Sequence, residues 1–360
     1  MAKEKKEDAL VTTDEFEKFV TKSFKNGVGV GTMPNEGRWN TRNYAINKAI
    51  GGGVPSSRIT TIVGESSSGK TTATLKVAAE VASTHRETGE RCDPMDPESC
   101  NVLFIDQEGH LDEAWAKIHG YHPNEGGNKV MSFPRGEDAI DTINAAIQSR
   151  LFSLIILDSI DLVVCQEEND KSASDLVVGK KAIMMNRAFR AWSVALVAEG
   201  KSMDKWWQRP TLMCTNQIRH GIGNMAPESY PGGRAQYYMS SIFIRMGKAN
   251  YNNTSDRKKP LTHGIYKGYV KKNKTAEPNT PIQFDMILGE VEGLGIGAID
   301  NASAIYQDAK RFLISQDSGG YDFFGTNYRI KTDLQDYINS SEEAEIEVMN
   351  KIIANIPVEE

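Results

Sequence analysis

The sequence lacks both a long apolar run and an excess of positive charge. No stretch of the 360 residues approaches the roughly 18 apolar residues that span a bilayer. The polar start from Met1 to Lys6 is not followed by the apolar segment of a signal peptide. We therefore expect a cytoplasmic protein without a membrane partner.

Because the formal net charge is −6, binding of nucleic acid would require a local basic surface.

Cysteine is also scarce. The four cysteines, Cys92, Cys100, Cys165 and Cys214, are most simply free thiols in a protein of a reducing compartment. Cys92 and Cys100 share one predicted loop with His85, but the absence of a paired Cys-x-x-Cys spacing disfavours a zinc site. The composition, 39% hydrophobic and 25% charged, is typical of a globular chain with one large core and a smaller domain.

The sequence does contain a glycine-bounded loop between a predicted strand, Ile59 to Val63, and a helical pattern that continues to Val81. The loop consists of Gly64, Glu65, Ser66, Ser67, Ser68, Gly69, Lys70, Thr71 and Thr72. Its spacing predicts a phosphate-binding loop, whose backbone N–H groups surround a triphosphate. Lys70 is expected to contact the β and γ phosphates, and Thr71 to offer its hydroxyl to Mg²⁺. The alternative is a surface turn rich in glycine and serine.

Two predicted strands end in acidic residues. The run from Asn101 to Asp106 leads to Glu108, and the aliphatic run from Leu154 to Leu157 leads to Asp158. Ligands of open α/β sheets bind beyond the carboxyl ends of the strands. Glu108 therefore lies where a base for an attacking water is needed, unless it caps a helix or forms a salt bridge. Asp158 has the form of a Walker B carboxylate, which binds Mg²⁺, usually through water.

Two more positions follow strand ends. Asp112 is predicted to cap a helix in which Trp115 either stacks on adenine or packs in the core. The strand from Thr211 to Thr215 leads to Gln217 and then to a loop from Gly221 to Gly233, rich in glycine and proline. Such a loop is a candidate switch, in which Gln217 contacts the γ phosphate while the loop contacts another ligand. The alternative is an ordinary surface loop.

The whole chain divides into three predicted parts. Residues 1–33 contain a short helix with three phenylalanines, which packs either on the chain's own core or on a neighbouring subunit. Residues 34–290 form an α/β core with a mostly parallel twisted sheet, which consecutive strands from Ser241 to Leu288 extend in antiparallel fashion. A glycine-rich boundary precedes residues 291–360, a small α-rich domain with a turn at Gly319-Gly320 and an acidic tail.

In their order and spacing, these motifs resemble the RecA family of ATP-dependent DNA strand-exchange recombinases, of bacterial or phage type, over almost the whole chain. The motifs that carry the resemblance are Gly64 to Thr72, Phe104 to Asp112, Ile156 to Ser159, Met184-Met185, Asn216 to Arg219, Pro231 to Gly233 and Lys272 to Lys274. The most discriminating is the Asn-Gln-Ile-Arg element followed by a loop that ends in glycine. The resemblance implies a RecA-type P-loop ATPase core, with residues 1–33 as an oligomerisation arm.

The same resemblance implies ATP and Mg²⁺ as cofactors and assigns roles to single residues. Glu108, Lys70 and Gln217 would be catalytic, and Thr71 and Asp158 would bind the metal. The residues that would bind ATP besides the phosphate loop are Asp112, Trp115, Lys272 and Lys274. The two lysines, which alone would be a solvated charged face, would reach the ATP of a neighbouring subunit.

The resemblance further implies a DNA-dependent ATPase that acts in DNA recombination and repair. It would form a homo-oligomeric helical filament on single-stranded DNA and exchange that strand with homologous duplex DNA. The residues that would bind DNA are Lys180, Lys181, Arg219, His220, Gly221, Ile222, Gly223, Asn224, Met225, Gly232, Gly233 and Arg234. Gln217 would order the larger of two DNA-binding loops, which would run from Ile218 to Gly233, and the smaller would run from Gln166 to Asp175.

Two other interpretations remain open. Another motor on the same fold, such as a hexameric helicase or a repair ATPase, shares both Walker elements and predicts closed rings. A filament scaffold in which ATP only controls assembly predicts that Glu108→Gln still performs the biological task.

Overall fold

A computed structural model of the chain describes residues 37–166, 179–220, 228–252, 260–291 and 294–301, together with 304–305, 315–317, 320–323, 326–328, 337, 340, 344 and 347. The predicted arm, residues 167–175 of the smaller loop, the centre of the larger loop and most of the C-terminal domain lie outside these residues. Among the described residues, none of the helices combines the length and apolar character that a membrane-spanning segment needs.

The strands alternate with helices along most of the described chain. The strands are β1 (Arg38–Trp39), β2 (Val54–Pro55), β3 (Ile59–Gly64), β4 (Asn101–Asp106), β5 (Lys129–Met131), β6 (Phe152–Asp158), β7 (Thr211–Gln217), β8 (Arg219–His220), β9 (Glu228–Ser229), β10 (Ile242–Met246), β11 (Asn250–Tyr251), β12 (His263–Asn273), β13 (Pro281–Ile287), β14 (Ser315–Asp317), β15 (Gly320–Phe323) and β16 (Thr326–Tyr328). The α-helices are α1 (Tyr44–Ile50), α2 (Lys70–Ala82), α3 (Glu113–Ile118), α4 (Gly136–Ser149), α5 (Lys180–Lys201) and α6 (Ala235–Met239).

A nine-stranded sheet has the order β11-β12-β10-β3-β7-β6-β4-β5, with β13 paired on β12. The strands from β10 to β5 in this order run parallel. The strand β12 is antiparallel to β10, β11 and β13. The predicted fold class, a mostly parallel α/β sheet with an antiparallel extension, is therefore confirmed. Because parallel strands end at one edge, β3, β4, β6 and β7 bring their carboxyl ends together there.

Helices cover both faces of the sheet, which explains the nearly continuous apolar runs in its central strands. Leu75, Ala78 and Val81 of α2 belong to the core on one face. Helices α4 and α5 cover the other face, with Ile143 and Phe189 fully buried. This helix-sheet-helix layering fixes the strand ends that carry the predicted functional residues.

An aromatic cluster closes the amino ends of β3 and β7. The rings of Trp39 and Trp206 meet edge to face at 5.0 Å. The indole N–H of the adjacent Trp207 donates to the carbonyl of Arg86 at 3.0 Å. A Cβ atom at Gly89, whose φ is +76°, would be 2.8 Å from the Trp207 ring. The polar excursion after α2 is thus folded back against the tryptophans.

Beyond residue 301, the described segments include the antiparallel sheet β14-β15-β16. Strands β14 and β15 pair in antiparallel fashion, with Asp317 opposite Gly320. The sequence pattern predicts an α-rich domain here, and these strands are a difference from that expectation. Their signal was the alternation of Tyr321 and Phe323 directly after the glycine turn.

His119 ends the helix α3 and is buried, with 1% of its surface exposed. Its ring lies edge-on to Trp115, with 4.6 Å between the ring centroids. Burial, together with the charge of Lys76, lowers the pKa of His119 to about 3. The imidazole is therefore neutral in the folded chain at pH values where an exposed histidine is protonated.

We expect His119 to make the protein less stable in mild acid. As the pH falls from about 6.5 towards 3, the unfolded chain binds a proton that the folded chain excludes, which lowers the free energy of unfolding by up to about 1.4 kcal/mol per pH unit. Urea unfolding at pH 7 and pH 5 should show a smaller loss for His119→Leu than for the wild type. His110→Leu, at an exposed histidine, should retain the wild-type loss, and equal losses in all three proteins would contradict a neutral, buried His119.

Candidate active site

The predicted phosphate loop connects β3 to α2. A Cβ atom at Gly64 would be 2.5 Å from the Ser68 hydroxyl oxygen and 2.7 Å from the Met246 carbonyl oxygen, so only glycine fits there. Gly69 precedes the helix with a left-handed φ of +81° and caps it without a side-chain hydrogen bond. The N–H groups of the first turn of α2 are thus directed to an incoming anion.

A cleft of about 170 Å³ lies over this loop. It is lined by Ser66, Ser67, Ser68, Gly69, Lys70, Thr71, Thr72, Glu108 and Gln217. The three residues predicted to be catalytic therefore meet in one cleft with most of the phosphate loop. They follow three separate strands. The register aligns Gly64 with Gln217 across β3 and β7, and Asp106 with Asp158 across β4 and β6, so the ends of these strands lie side by side.

Lys70 is buried and bends back over its own loop. Its ammonium donates to the carbonyl oxygens of Gly64 at 3.2 Å and Glu65 at 2.8 Å. Burial lowers the pKa of Lys70, while the charges of Asp158 and Glu108 act in the opposite direction. A phosphate group in the cleft would add negative charge beside the ammonium and so favour its charged form.

Asp158 and Thr71, the predicted metal residues, are in direct contact. The Thr71 hydroxyl donates to Oδ2 of Asp158 at 2.7 Å. The hydroxyl of Thr215 donates to Oδ1. Burial raises the pKa of Asp158, and the bonds from Thr215 and Thr71 oppose that shift. A carboxylate beside a hydroxyl provides the oxygen ligands that Mg²⁺ prefers, so the residues present fit this metal.

Glu108 is held beside these groups by hydrogen bonds of the loop after β4. The carboxylate of Asp106 accepts from the N–H groups of Gly109 at 2.9 Å and Leu111 at 3.0 Å. The Ser159 hydroxyl donates to Oε1 of Glu108 at 2.9 Å. Among the described residues Glu108 forms no ion pair within salt-bridge distance. The sequence motifs alone do not predict these supporting roles of Asp106 and Ser159.

Asp112 and Trp115 lie outside the residues that line the cleft. Asp112 caps α3 as predicted, because its Oδ1 accepts from the Trp115 N–H at 2.7 Å. The Trp115 ring is partly buried against the core and His119, so core packing accounts for part of its surface. Stacking on adenine stays a prediction.

Lys272 and Lys274 also lie outside the cleft of their own chain. The Lys272 ammonium donates to the carbonyl oxygens of Tyr237 at 2.7 Å and Tyr238 at 2.8 Å. It also lies 5.3 Å from the centroid of the Tyr237 ring. Burial and the charge of Lys274 lower the pKa of Lys272 to about 8. Contact with the ATP of a neighbouring subunit stays a prediction.

The residues predicted to bind DNA are described only in part. Arg219 pairs with Oδ1 of Asp161 at 2.8 Å, and the Lys181 ammonium donates to the Asp161 carbonyl oxygen. Lys180 and Arg234 are exposed. Gly232 and Gly233 form a left-handed turn before α6, and His220 pairs through its backbone with Glu228. The other five predicted residues, Gly221, Ile222, Gly223, Asn224 and Met225, lie outside the described residues.

The RecA N-terminal domain model matches residues 18–294 of this chain. Protein RecA of Desulforapulum autotrophicum is 31% identical over 279 residues, which cover 74% of this chain and 72% of that protein. Protein RecA of Paracoccus denitrificans is 31% identical over 297 residues, covering 76% and 75%. A crystal structure of the RadB recombinase matches with a TM-score of 0.46 and 14% identity, covering 69% of this chain and 96% of that one.

We expect Asp158→Asn to lose most of the contribution of Mg²⁺ to nucleotide binding. The substitution keeps the shape of the side chain but removes the negative charge beside Thr71, so the gain in affinity that Mg²⁺ provides should fall by about tenfold or more. Binding of a fluorescent nucleotide, titrated with and without Mg²⁺, measures this gain. Asp161→Asn removes a neighbouring carboxylate that does not line the cleft and should behave as the wild type, whereas an undiminished gain in Asp158→Asn would exclude the metal role.

Proposed function

Since this chain belongs to the RecA family, we propose that it is a DNA-dependent ATPase that forms helical filaments on single-stranded DNA and catalyses homologous pairing and strand exchange. The observation that supports this most directly is the position of Gln217. It lines the cleft with Lys70 and Glu108, and the loop that we assign to DNA begins at the next residue. A ligand of the cleft and a ligand of the loop would therefore act on adjacent residues.

In the proposed ATPase reaction, Lys70 leaves the carbonyl oxygens of its loop and binds the β and γ phosphates. Thr71 and Asp158 would hold Mg²⁺, which neutralises charge on the phosphate oxygens. Glu108, oriented by the Ser159 hydroxyl, would accept a proton from the attacking water. Gln217 would contact the γ phosphate, and through this contact the phosphate would affect the conformation of the loop.

The proposed DNA surface combines four basic side chains with the two loops. Arg219, Lys180, Lys181 and Arg234 would neutralise phosphates, while backbone N–H groups and bases stacked in the loops would add contacts that do not depend on charge. Because phosphate contacts release counterions, binding should weaken as the salt concentration rises.

Filament formation is proposed to complete the ATP site. Lys272 and Lys274 would contact the ATP of a neighbouring subunit, as supported by the position of Lys272 outside its own cleft. Residues 1–33 would dock on that neighbour, residues 34–290 would form the ATPase core, and residues 291–360 would help to admit duplex DNA. A closed hexameric motor or an assembly scaffold remains the alternative, and electron microscopy of the ATP-bound protein distinguishes open filaments from rings.

We expect Glu108→Gln to impair ATP hydrolysis without impairing DNA binding. The amide cannot accept the proton of the attacking water, so hydrolysis should fall by about 10²- to 10⁴-fold, while DNA binding in the presence of ATP is retained. Steady-state hydrolysis and DNA binding by fluorescence anisotropy measure the two properties. Glu113→Gln, at an exposed carboxylate that pairs with Lys117 on α3, is the matched control, and wild-type turnover in Glu108→Gln would rule out its catalytic role.

The proposed function is tested by replacing only the tip of the larger loop. Residues 221–227 would become a Gly/Ser segment of equal length, which leaves the β8-β9 pairing between Arg219 and Ser229 intact. We expect single-stranded DNA to stimulate ATP hydrolysis in the wild type and to have no effect on the variant, with equal hydrolysis in the absence of DNA. Hydrolysis that ignores DNA in both proteins would refute the recombinase proposal and favour the scaffold.

A further inference from the structure

Two buried amides join the residues before and after the larger loop. Asn216 and Gln236, here called the amide pair, are both 0% exposed. The Asn216 side chain donates from Nδ2 to Oε1 of Gln236 at 2.8 Å and to the carbonyl oxygen of Pro231 at 2.8 Å. Gln236 donates from Nε2 to the same Pro231 carbonyl oxygen at 2.8 Å and to that of Gly233 at 2.8 Å. Each of the four side-chain N–H groups of the two amides therefore donates a hydrogen bond.

The amide pair fixes the turn in which the loop ends. Gly232 and Gly233 have left-handed φ values of +78° and +81°. Added Cβ atoms would lie 2.9 Å from an Ile160 methyl carbon and 3.1 Å from the Ala182 Cβ. The turn is therefore packed against the segment after β6 and against α5. The carbonyl oxygen of Pro231 accepts from one side chain of β7 and one of α6, and that of Gly233 accepts from the same α6 side chain.

The other end of the amide pair reaches the cleft. Oδ1 of Asn216 accepts from the backbone N–H of Gln217 at 2.9 Å, and Gln217 lines the cleft. One set of hydrogen bonds therefore runs from the residue that faces the nucleotide to the turn that ends the loop. A shift of the Gln217 backbone must either move the turn or leave a buried polar group without its partner, and the second outcome is energetically unfavourable.

We propose that Gln236 is a positioning residue that couples the nucleotide cleft to the loop between Ile218 and Tyr230. The inference rests on the proposed function in that it supplies the physical link between nucleotide and loop. Gln236 touches neither nucleotide nor DNA in this proposal. When a nucleotide binds in the cleft and shifts Asn216 and Gln217, the hydrogen bonds of Gln236 make the turn from Pro231 to Gly233 shift with them.

Two substitutions at Gln236 test this coupling. Gln236→Leu removes every side-chain hydrogen bond of the residue, and Gln236→Glu keeps its shape and its acceptor but replaces both donors towards Pro231 and Gly233. Gln208→Leu is the matched control. It removes a glutamine that also donates to a backbone carbonyl, that of Arg86 at 2.6 Å, but at the opposite end of β7.

The readout is hydrogen–deuterium exchange of peptides that cover 218–230, without DNA, before and after addition of a non-hydrolysable ATP analogue with Mg²⁺. We expect the analogue to slow this exchange in the wild type and in Gln208→Leu. In both Gln236 variants the slowing should shrink by about tenfold, and by linkage the affinity for the analogue should fall by no more than the same factor. A purely structural role would instead accelerate exchange throughout the sheet, already in the absence of the analogue.

The outcomes separate this inference from the proposed function. An equal response of the loop in the wild type and in either Gln236 variant overturns the inference, as does a wild-type loop that ignores the analogue. A wild-type response that both variants lose supports the inference, even if single-stranded DNA then fails to stimulate hydrolysis. In that case the link exists and the proposed function is wrong.

Discussion

The carboxyl group of Asp158 is buried at the end of β6, where it accepts hydrogen bonds from the hydroxyls of Thr71 and Thr215. Its carbonyl oxygen accepts from the backbone N–H groups of Gln107 at 2.7 Å and Glu108 at 3.3 Å. One residue thus joins the phosphate loop helix, the neighbouring strand β7 and the loop after β4. Because burial disfavours the carboxylate, these donors compensate for its desolvation and are constrained to stay in place. The geometry of the cleft depends on this arrangement.

The parallel sheet also constrains the geometry of the cleft. Its strands are covered by helices on both faces, so the polar groups that a ligand can reach are confined to one edge. The register across β3 and β7 aligns Gly64 with Gln217, and the register across β4 and β6 aligns Asp106 with Asp158. Glu108 and Gln217 therefore reach the cleft because each lies at a strand end or two positions beyond one. Lys70 in addition needs the left-handed backbone of Gly69.

This also explains what the sequence could predict. The phosphate loop, Glu108 and Asp158 follow apolar strand runs directly, so a local pattern identifies each of them, and the sheet type follows from the alternation of strands and helices. Thr215 looks like an ordinary strand residue, and the contact between Asn216 and Gln236 joins positions that only the fold brings together. The packing of Trp207 on Gly89 is non-local in the same way. The strands β14 to β16 also had a local signal, the alternating aromatic residues after the two glycines. Because helices were expected in this domain, that signal was not interpreted as strands.

The pairing of Arg219 with Asp161 at 2.8 Å has a consequence for selectivity among anions. In the proposed DNA surface, the Asp161 carboxylate would act as a tethered competitor of a phosphate for the Arg219 guanidinium, with a high effective concentration there. The Arg219 side chain is 66% exposed and that of Asp161 is 7% exposed, so the carboxylate is held in place and would discourage a single weakly bound phosphate. A polymer presents many phosphates at once, and its avidity would overcome such a competitor. The proposed surface would therefore select polymeric over small anions, and small free nucleotides would bind in the cleft instead.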